Sequence, residues 1–126
     1  MAELDTEIKK LEKTSKCLND KTDELTKFIN AVEARINETK PGVAVVLSED
    51  PIDDEHWHVG YGKIGEKWHI TVQRTNPFAQ LSALSCAPRG IRVKAVPLLG
   101  KLVKTVHERV QEFLASVEEV ITCCQK

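Results

Sequence analysis

The feature that most constrains this fold is a stripe of mainly apolar residues, spaced alternately by four and three, near the start of the chain. Its members are Leu4, Ile8, Leu11, Ser15, Leu18, Thr22, Leu25, Ile29, Val32 and Ile36. This spacing is typical of a coiled-coil seam. A helix from Leu4 to Ile36 would be roughly 50 Å long, whereas a compact chain of this size has a radius of gyration of about 14 Å. The seam therefore predicts a helical partner and a protein that assembles or interacts.

Composition and charge narrow the classes of partner. The chain is 41% hydrophobic and 29% charged, which is typical of a folded domain. Eighteen basic and nineteen acidic side chains give a net charge of -1, so no electrostatic argument favours nucleic acid or an anionic membrane. No run is long and apolar enough for a transmembrane helix, and the acidic start is unlike a secretory signal. Four cysteines without a C-x-x-C pair indicate free thiols, so we expect a cytoplasmic protein.

A strand and a hairpin are predicted after the first helix. Pro41 and Gly42 end the helix, and the β-branched run from Val43 to Leu47 favours a strand. With Ile64 and Gly65 as the turn, the expected pairs are Tyr61 with Trp68, Val59 with Ile70, and Trp57 with Val72. This register gathers the apolar side chains on one face and the polar ones on the other. The three strands form an antiparallel meander.

The remaining chain predicts a link and a second long helix. Thr75 to Ser85 is irregular, with Phe78, Leu81 and Leu84 in a short helical turn, and Pro88 opens a short helix to Ala95. Pro97 then kinks this helix or starts a new one. The second heptad series consists of Leu99, Val103, Val106, Val110, Phe113, Val117, Val120 and Cys124. Leu102, Leu114 and Ile121 widen its stripe, which indicates more than one neighbour.

These elements predict an α+β fold in the order helix, sheet, helix, forming one structural unit. Residues 1–40 form the coiled-coil helix, 41–75 the meander, 76–97 the link and 98–126 the last helix. We expect the two long helices to pack antiparallel as a stalk and to associate as a dimeric four-helix bundle or a larger assembly. The predicted subunit interface consists of Leu4, Ile8, Leu11, Leu18, Leu25, Ile29, Val32, Ile36, Leu102, Leu114 and Ile121.

Two polar clusters are candidate ligand sites. His56, His58 and His69 share the polar face of the predicted hairpin, where imidazoles are able to meet one zinc ion. The alternative is a solvated or interface face, and we favour it because diagonal strand neighbours are about 7 Å apart. Arg74, Arg89 and Arg92 gather between the third strand and the last helix, which suits an anionic ligand or an acidic partner. The alternative for them is again a solvated face.

Other chemistry has less support in the residues. Trp57, Tyr61 and Trp68 are able to form a stacking platform, but their shared apolar face favours contact between sheet and helices. Cys86 and His107 are the one nucleophile and base combination that we single out, and nothing in the sequence brings them together. We expect no enzymatic activity and no cofactor.

The order of motifs resembles small bacterial or phage proteins with a coiled-coil amino terminus and a glycine-aromatic-glycine hairpin. The resemblance rests on Trp-His-Val-Gly-Tyr-Gly from Trp57, Gly-Glu-Lys-Trp from Gly65, and Pro-Arg-Gly-Ile-Arg from Pro88. It implies a shared fold and a bacterial or phage origin, and it implies no catalytic residue, substrate or partner.

The leading hypothesis is a non-enzymatic protein that forms homo-oligomers through its long helices and displays the β-meander for binding another protein. The alternative is a ligand-sensing or metal-sensing module with a pocket at a subunit interface, built from the histidine face or the arginine cluster.

Overall fold

The long heptad run forms one continuous helix, α1, from Ala2 to Thr39. The computed structural model describes residues 1–52, 57–74 and 80–125. Helix α1 ends where Lys40 adopts a left-handed conformation with φ 50° and donates its N–H to the carbonyl of Asn37 at 3.1 Å. Pro41 then prevents the helix from continuing. The predicted end of the first helix is therefore confirmed.

A four-stranded antiparallel sheet follows, in the order β1-β2-β3-β4. Its strands are β1 (Val45–Val46), β2 (Trp57–Ile64), β3 (Lys67–Arg74) and β4 (Ser82–Ala83). Strand β4 corrects the predicted three-stranded meander. A two-residue strand has no side-chain period that a sequence can reveal. Leu84 does begin a short helical turn, Leu81 lies before β4, and Phe78 lies outside the described residues.

The register of the β2-β3 hairpin differs from the prediction by two residues. Val59 pairs with Val72, and Tyr61 pairs with Ile70. The turn is Gly65 and Glu66, with Gly65 at φ 65°, because glycine adopts a positive φ at little cost. Moving the turn by one residue moves each partner by two, so every side chain keeps its predicted face. Alternation therefore identified the faces correctly and left the register undetermined.

Two short helical segments connect the sheet to the last helix. The chain makes a 3-10 turn at Leu84–Cys86, helix α2 at Arg89–Ala95, a second 3-10 turn at Val96–Leu98, and helix α3 at Leu99–Cys124. Pro88 immediately precedes α2, and Pro97 lies in the second turn, where α2 gives way to α3. The predicted helix boundaries at both prolines are therefore confirmed. No helix among the described residues is long and apolar enough to span a membrane.

The core lies between one face of the sheet and the helices. Val59, Tyr61, Ile70 and Val72 are at most 1% exposed on that face. They share a cluster with Ile29 of α1, Leu84, Ala95 of α2, and Leu102 of α3, and Trp57 and Trp68 pack against its margin. Tyr61 and Trp68 both form hydrogen bonds with Asn37 of α1, as their predicted contact with the helices requires.

Strands β1 and β2 approach closely at Gly60. A Cβ atom at this position would lie 2.5 Å from the carbonyl oxygen of Val45 and 3.1 Å from Oγ1 of Thr71. No real Cβ tolerates such a contact with a backbone atom, so the pairing of β1 with β2 requires glycine here.

Each long helix has one half in the core and one half outside it. The free half of α1 (residues 2–21) carries Leu4, Ile8, Leu11 and Leu18, which are between 42% and 63% exposed. The free half of α3 (residues 111–124) is exposed at every position. The predicted antiparallel stalk within one chain is therefore not formed along these halves. Helix α2 and the sheet contact the carboxy-terminal half of α1 at Thr26 and Glu33.

Candidate functional site

The carboxy-terminal half of α1 lies against the open edge of β3. Strand β4 pairs with β3 at Thr71 and Val72. Further along the same edge, the backbone N–H of Ile70 donates to Oε1 of Glu33 at 2.7 Å. Nδ2 of Asn37 donates to the carbonyl of Trp68 at 3.2 Å. Because Glu33 and Asn37 are four residues apart on one helix face, two side chains continue the hydrogen bonding that β4 begins.

An aromatic pair joins this edge to the core. The rings of Tyr61 and Trp68 are stacked, with centroids 5.3 Å apart and an angle of 17° between their planes. The Tyr61 hydroxyl donates a short hydrogen bond to Oδ1 of Asn37. Burial of the phenol raises the pKa of Tyr61 above its ordinary value, and the negative charge of Glu33 raises this pKa further. Tyr61 therefore remains a neutral donor at physiological pH.

These residues form the wall of an open cleft of about 460 Å³, the edge cleft. His69 lies beside Glu33, with 3.3 Å between Nδ1 and Oε1, and Lys40 and Lys67 also line the cleft. Glu33, Asn37 and Tyr61 all bond to groups of the chain itself. The arrangement therefore fastens α1 to the sheet, with Lys40, Lys67 and His69 as further lining residues of the cleft.

The structure separates the histidines that were candidate zinc ligands. His58 places Nδ1 3.4 Å from the carbonyl oxygen of Leu47, whereas His69 contacts Glu33. Their β-partners also differ, since His58 pairs with Gln73 and His69 with Gly62. His56 lies outside the described residues. Among the residues that the structure describes, no group of three metal-ligating side chains comes together.

The three arginines do not converge on one site. Arg74 lies over the ring of Trp57, 4.9 Å from its centroid. Arg89 donates to Oδ1 of Asn19 at 2.9 Å, and Arg92 donates to Oγ1 of Thr26 at 2.5 Å. Two members of the predicted anion cluster thus fasten α2 to α1 instead of facing a shared ligand.

A second cavity lies between α1 and α3. This helix groove has a volume of about 600 Å³ and is also open to solvent. Its walls are apolar, and its rim is polar and basic. The wall residues are Val32, Ile36, Val103, Val106 and Val110, and the rim residues include Arg35, Thr39, Lys40 and His107. None of the described residues that line it is acidic.

The predicted interface residues divide into two groups. Ile29, Ile36 and Leu102 are buried in the chain's own core, and Leu25 and Val32 pack against it. These five are thus already engaged within the chain. Exposed members are Leu4, Ile8, Leu11, Leu18, Leu114 and Ile121. The prediction of a subunit interface therefore stays open for the free halves of the two helices.

Sequence reasoning missed Glu33 and Asn37. A weak signal exists, because both flank the heptad stripe in the half of α1 that precedes the strands.

A comparison of the chain with family models, curated proteins and solved structures gives no match.

Proposed function

We propose that this chain is a non-enzymatic protein that self-associates through the free halves of α1 and α3 and carries its sheet as a binding head for another protein. The observation that supports the proposal is the exposed apolar stripe on both free halves. On α3 it comprises Phe113, Leu114, Val117, Val120 and Ile121, which are between 49% and 61% exposed. Contiguous apolar surface on this scale is typical of an interaction site.

The free energy available from this surface favours association. Full burial of a large aliphatic or aromatic side chain contributes about 1.5–3 kcal/mol. Four such side chains on the free half of α1 and five on the free half of α3 are exposed in each copy. Because about half of each side chain is exposed, burying the rest of all nine in both copies of a dimer contributes roughly 14–27 kcal/mol. This is comparable with or larger than the roughly 4–15 kcal/mol that association costs in translational, rotational and side-chain freedom.

Light scattering coupled to size-exclusion chromatography tests self-association directly. We expect a molar mass of at least twice 14.1 kDa. Replacing Leu11 and Leu18 by asparagine removes two exposed seam residues without touching the core, and we expect the molar mass to shift toward that of the monomer.

A matched control replaces Lys10 and Lys13, which lie off the seam of the same helix half, by asparagine. This variant keeps the seam intact and we expect it to assemble as the wild type does. A monomeric wild type across the micromolar range would refute the proposed function.

A further inference from the structure

The charges of α3 are divided between its two halves. Residues 99–110 contain Lys101, Lys104 and Arg109 with Glu108, a net charge of +2. Residues 111–124 contain three glutamates and no lysine or arginine, a net charge of -3. Two copies of such a helix repel each other side by side in parallel and attract each other in antiparallel.

The free half of α3 also matches the helix groove in its apolar surface. Leu114, Val117 and Ile121 are spaced by three and four residues and therefore lie on one helix face. The groove offers a complementary wall of valines, of which Val103 and Val110 belong to α3 itself. An antiparallel α3 from a second copy, paired about the helix midpoint near Glu112, brings Ile121 beside Val103 and Leu114 beside Val110.

The charged groups around these two surfaces are complementary as well. Glu118 lies four residues after Leu114 and three before Ile121, at the margin of this face, and within the described chain it forms no ion pair. Across the groove, Arg35 and His107 at the rim form no ion pair with any described residue either. The carboxylate of Glu118 at the margin of the free half and the guanidinium of Arg35 at the rim of the groove are thus both unpaired among the described residues and of opposite charge where the two surfaces meet.

We infer that the occupant of the helix groove is the free half of α3 from a second copy, in an antiparallel and reciprocal pairing of the two α3 helices. This inference rests on the proposed self-association and specifies its geometry. A two-fold axis crosses α3 near its midpoint, so each copy fills the groove of the other with the same surface. The acidic half of each helix then lies beside the basic rim of its partner.

Charge reversal on each surface tests the pairing. One variant carries Glu118→Lys, and the other carries Arg35→Glu and His107→Glu. All three positions are exposed, so the fold is expected to survive, which circular dichroism verifies. At low ionic strength we expect each variant alone to dimerise with a Kd raised about tenfold or more, because like charges meet at both contacts.

Mixing the two variants provides the decisive measurement. The free half of the first variant, which carries Glu118→Lys, meets the groove rim of the second variant, now acidic. The other contact joins the native acidic free half of the second variant to the native basic rim of the first. We therefore expect a heterodimer of wild-type affinity. A control with Asp23→Lys and Glu66→Lys alters exposed charges away from both surfaces and is expected to leave the Kd unchanged. Variants that dimerise like the wild type, or a mixture without rescue, would overturn the pairing while self-association stands.

The native cysteines give an independent test of helix direction. In a Cys17→Ser and Cys86→Ser background, antiparallel pairing separates the two Cys124 residues by roughly 36 Å, whereas a disulfide needs Cα atoms within about 7 Å. We expect mild oxidation of the dilute dimer to give no covalent dimer. A covalent dimer through Cys123 or Cys124 would indicate parallel helices and overturn the inference. A wild type that is monomeric by light scattering would instead refute the proposed function itself.

Discussion

Oε1 of Glu33 accepts the backbone N–H of Ile70 at 2.7 Å, which joins a helix side chain to the edge of a strand 37 positions later in the chain. An open strand edge presents unpaired N–H and C=O groups to other chains. Here a helix supplies the acceptor, and Asn37 supplies the matching donor to Trp68. The same contact fixes where α1 lies on the sheet, and hence where its apolar stripe leaves the core.

Replacing Glu33 by alanine removes the carboxylate that accepts the backbone N–H of Ile70, a fully buried residue. We expect a loss of about 1–3 kcal/mol in the free energy of unfolding, because the Ile70 N–H is left without its partner. Glu33→Gln retains a carbonyl oxygen in the same place and is expected to lose less. Urea denaturation of both variants measures the difference, and equal stabilities would contradict the role assigned to this contact.

Gly60→Ala is expected to destabilise the sheet by about 1–3 kcal/mol, because the new methyl group collides with the Val45 carbonyl and forces the strands apart. Gly62→Ala is the matched control in the same strand. Its Cβ would meet the Ala44 side chain at 3.9 Å, an ordinary contact. Thermal denaturation compares the two, and a Gly60 variant as stable as the Gly62 variant would argue against the close approach.

Tyr61 is the one tyrosine of the sequence, so tyrosinate absorbance in the near ultraviolet reports its ionisation alone. We expect a midpoint above the ordinary pKa of about 10, since burial and the Glu33 charge both oppose the phenolate. The unfolded chain releases this proton first. The stabilisation from Tyr61 is therefore complete below pH of about 10 and is lost as pH rises through the folded pKa.

Glu33→Gln separates the two causes of that shift. Removing the carboxylate charge is expected to lower the pKa of Tyr61 partway toward its ordinary value, because burial, the larger cause, remains. A tyrosine that titrates at its ordinary pKa in the wild type would show that the ring is accessible to solvent.

Leu102 and Leu114 test the division between core and free half within one helix. Leu102 is fully buried, and truncation to alanine is expected to cost about 2–5 kcal/mol. Leu114 is 55% exposed, so its truncation is expected to change the stability of the monomer by less than about 0.5 kcal/mol. Denaturation at concentrations below the dimer Kd measures both. Light scattering of the Leu114 variant at higher concentration then reports its effect on association.

The sequence predicts those parts of the fold in which a regular spacing of apolar residues is repeated over many positions. Two heptad series mark α1 and α3, and strict alternation marks both faces of the hairpin. Registers that differ by two residues place the same side chains on the same face. Alternation alone therefore does not distinguish the observed pairing of Tyr61 with Ile70 from the predicted pairing of Tyr61 with Trp68. Strand β4 is too short to carry a pattern. Its place in the sheet follows from tertiary contact.

The contacts of the edge cleft escape prediction for a different reason. Glu33 and Asn37 are ordinary polar residues of a helix until the sheet meets them, and their partners on β3 are backbone groups that no side-chain pattern marks. Conversely, Arg89 and Arg92 are close in sequence, which predicted a shared anion site, but in the structure they join α2 to α1. Each of the two bonds to a separate neutral side chain of α1.

The free halves of α1 and α3 have a consequence for the lifetimes of their backbone hydrogen bonds. A helix segment of about 12–15 residues without tertiary contacts is only marginally stable in water. We expect amide hydrogen exchange to be slow in α1 near Ile29 and fast near Leu4, although the helix is geometrically uniform. Association would slow exchange in the free halves as well. The length of the slowly exchanging part of each helix therefore becomes a direct readout of the assembled state.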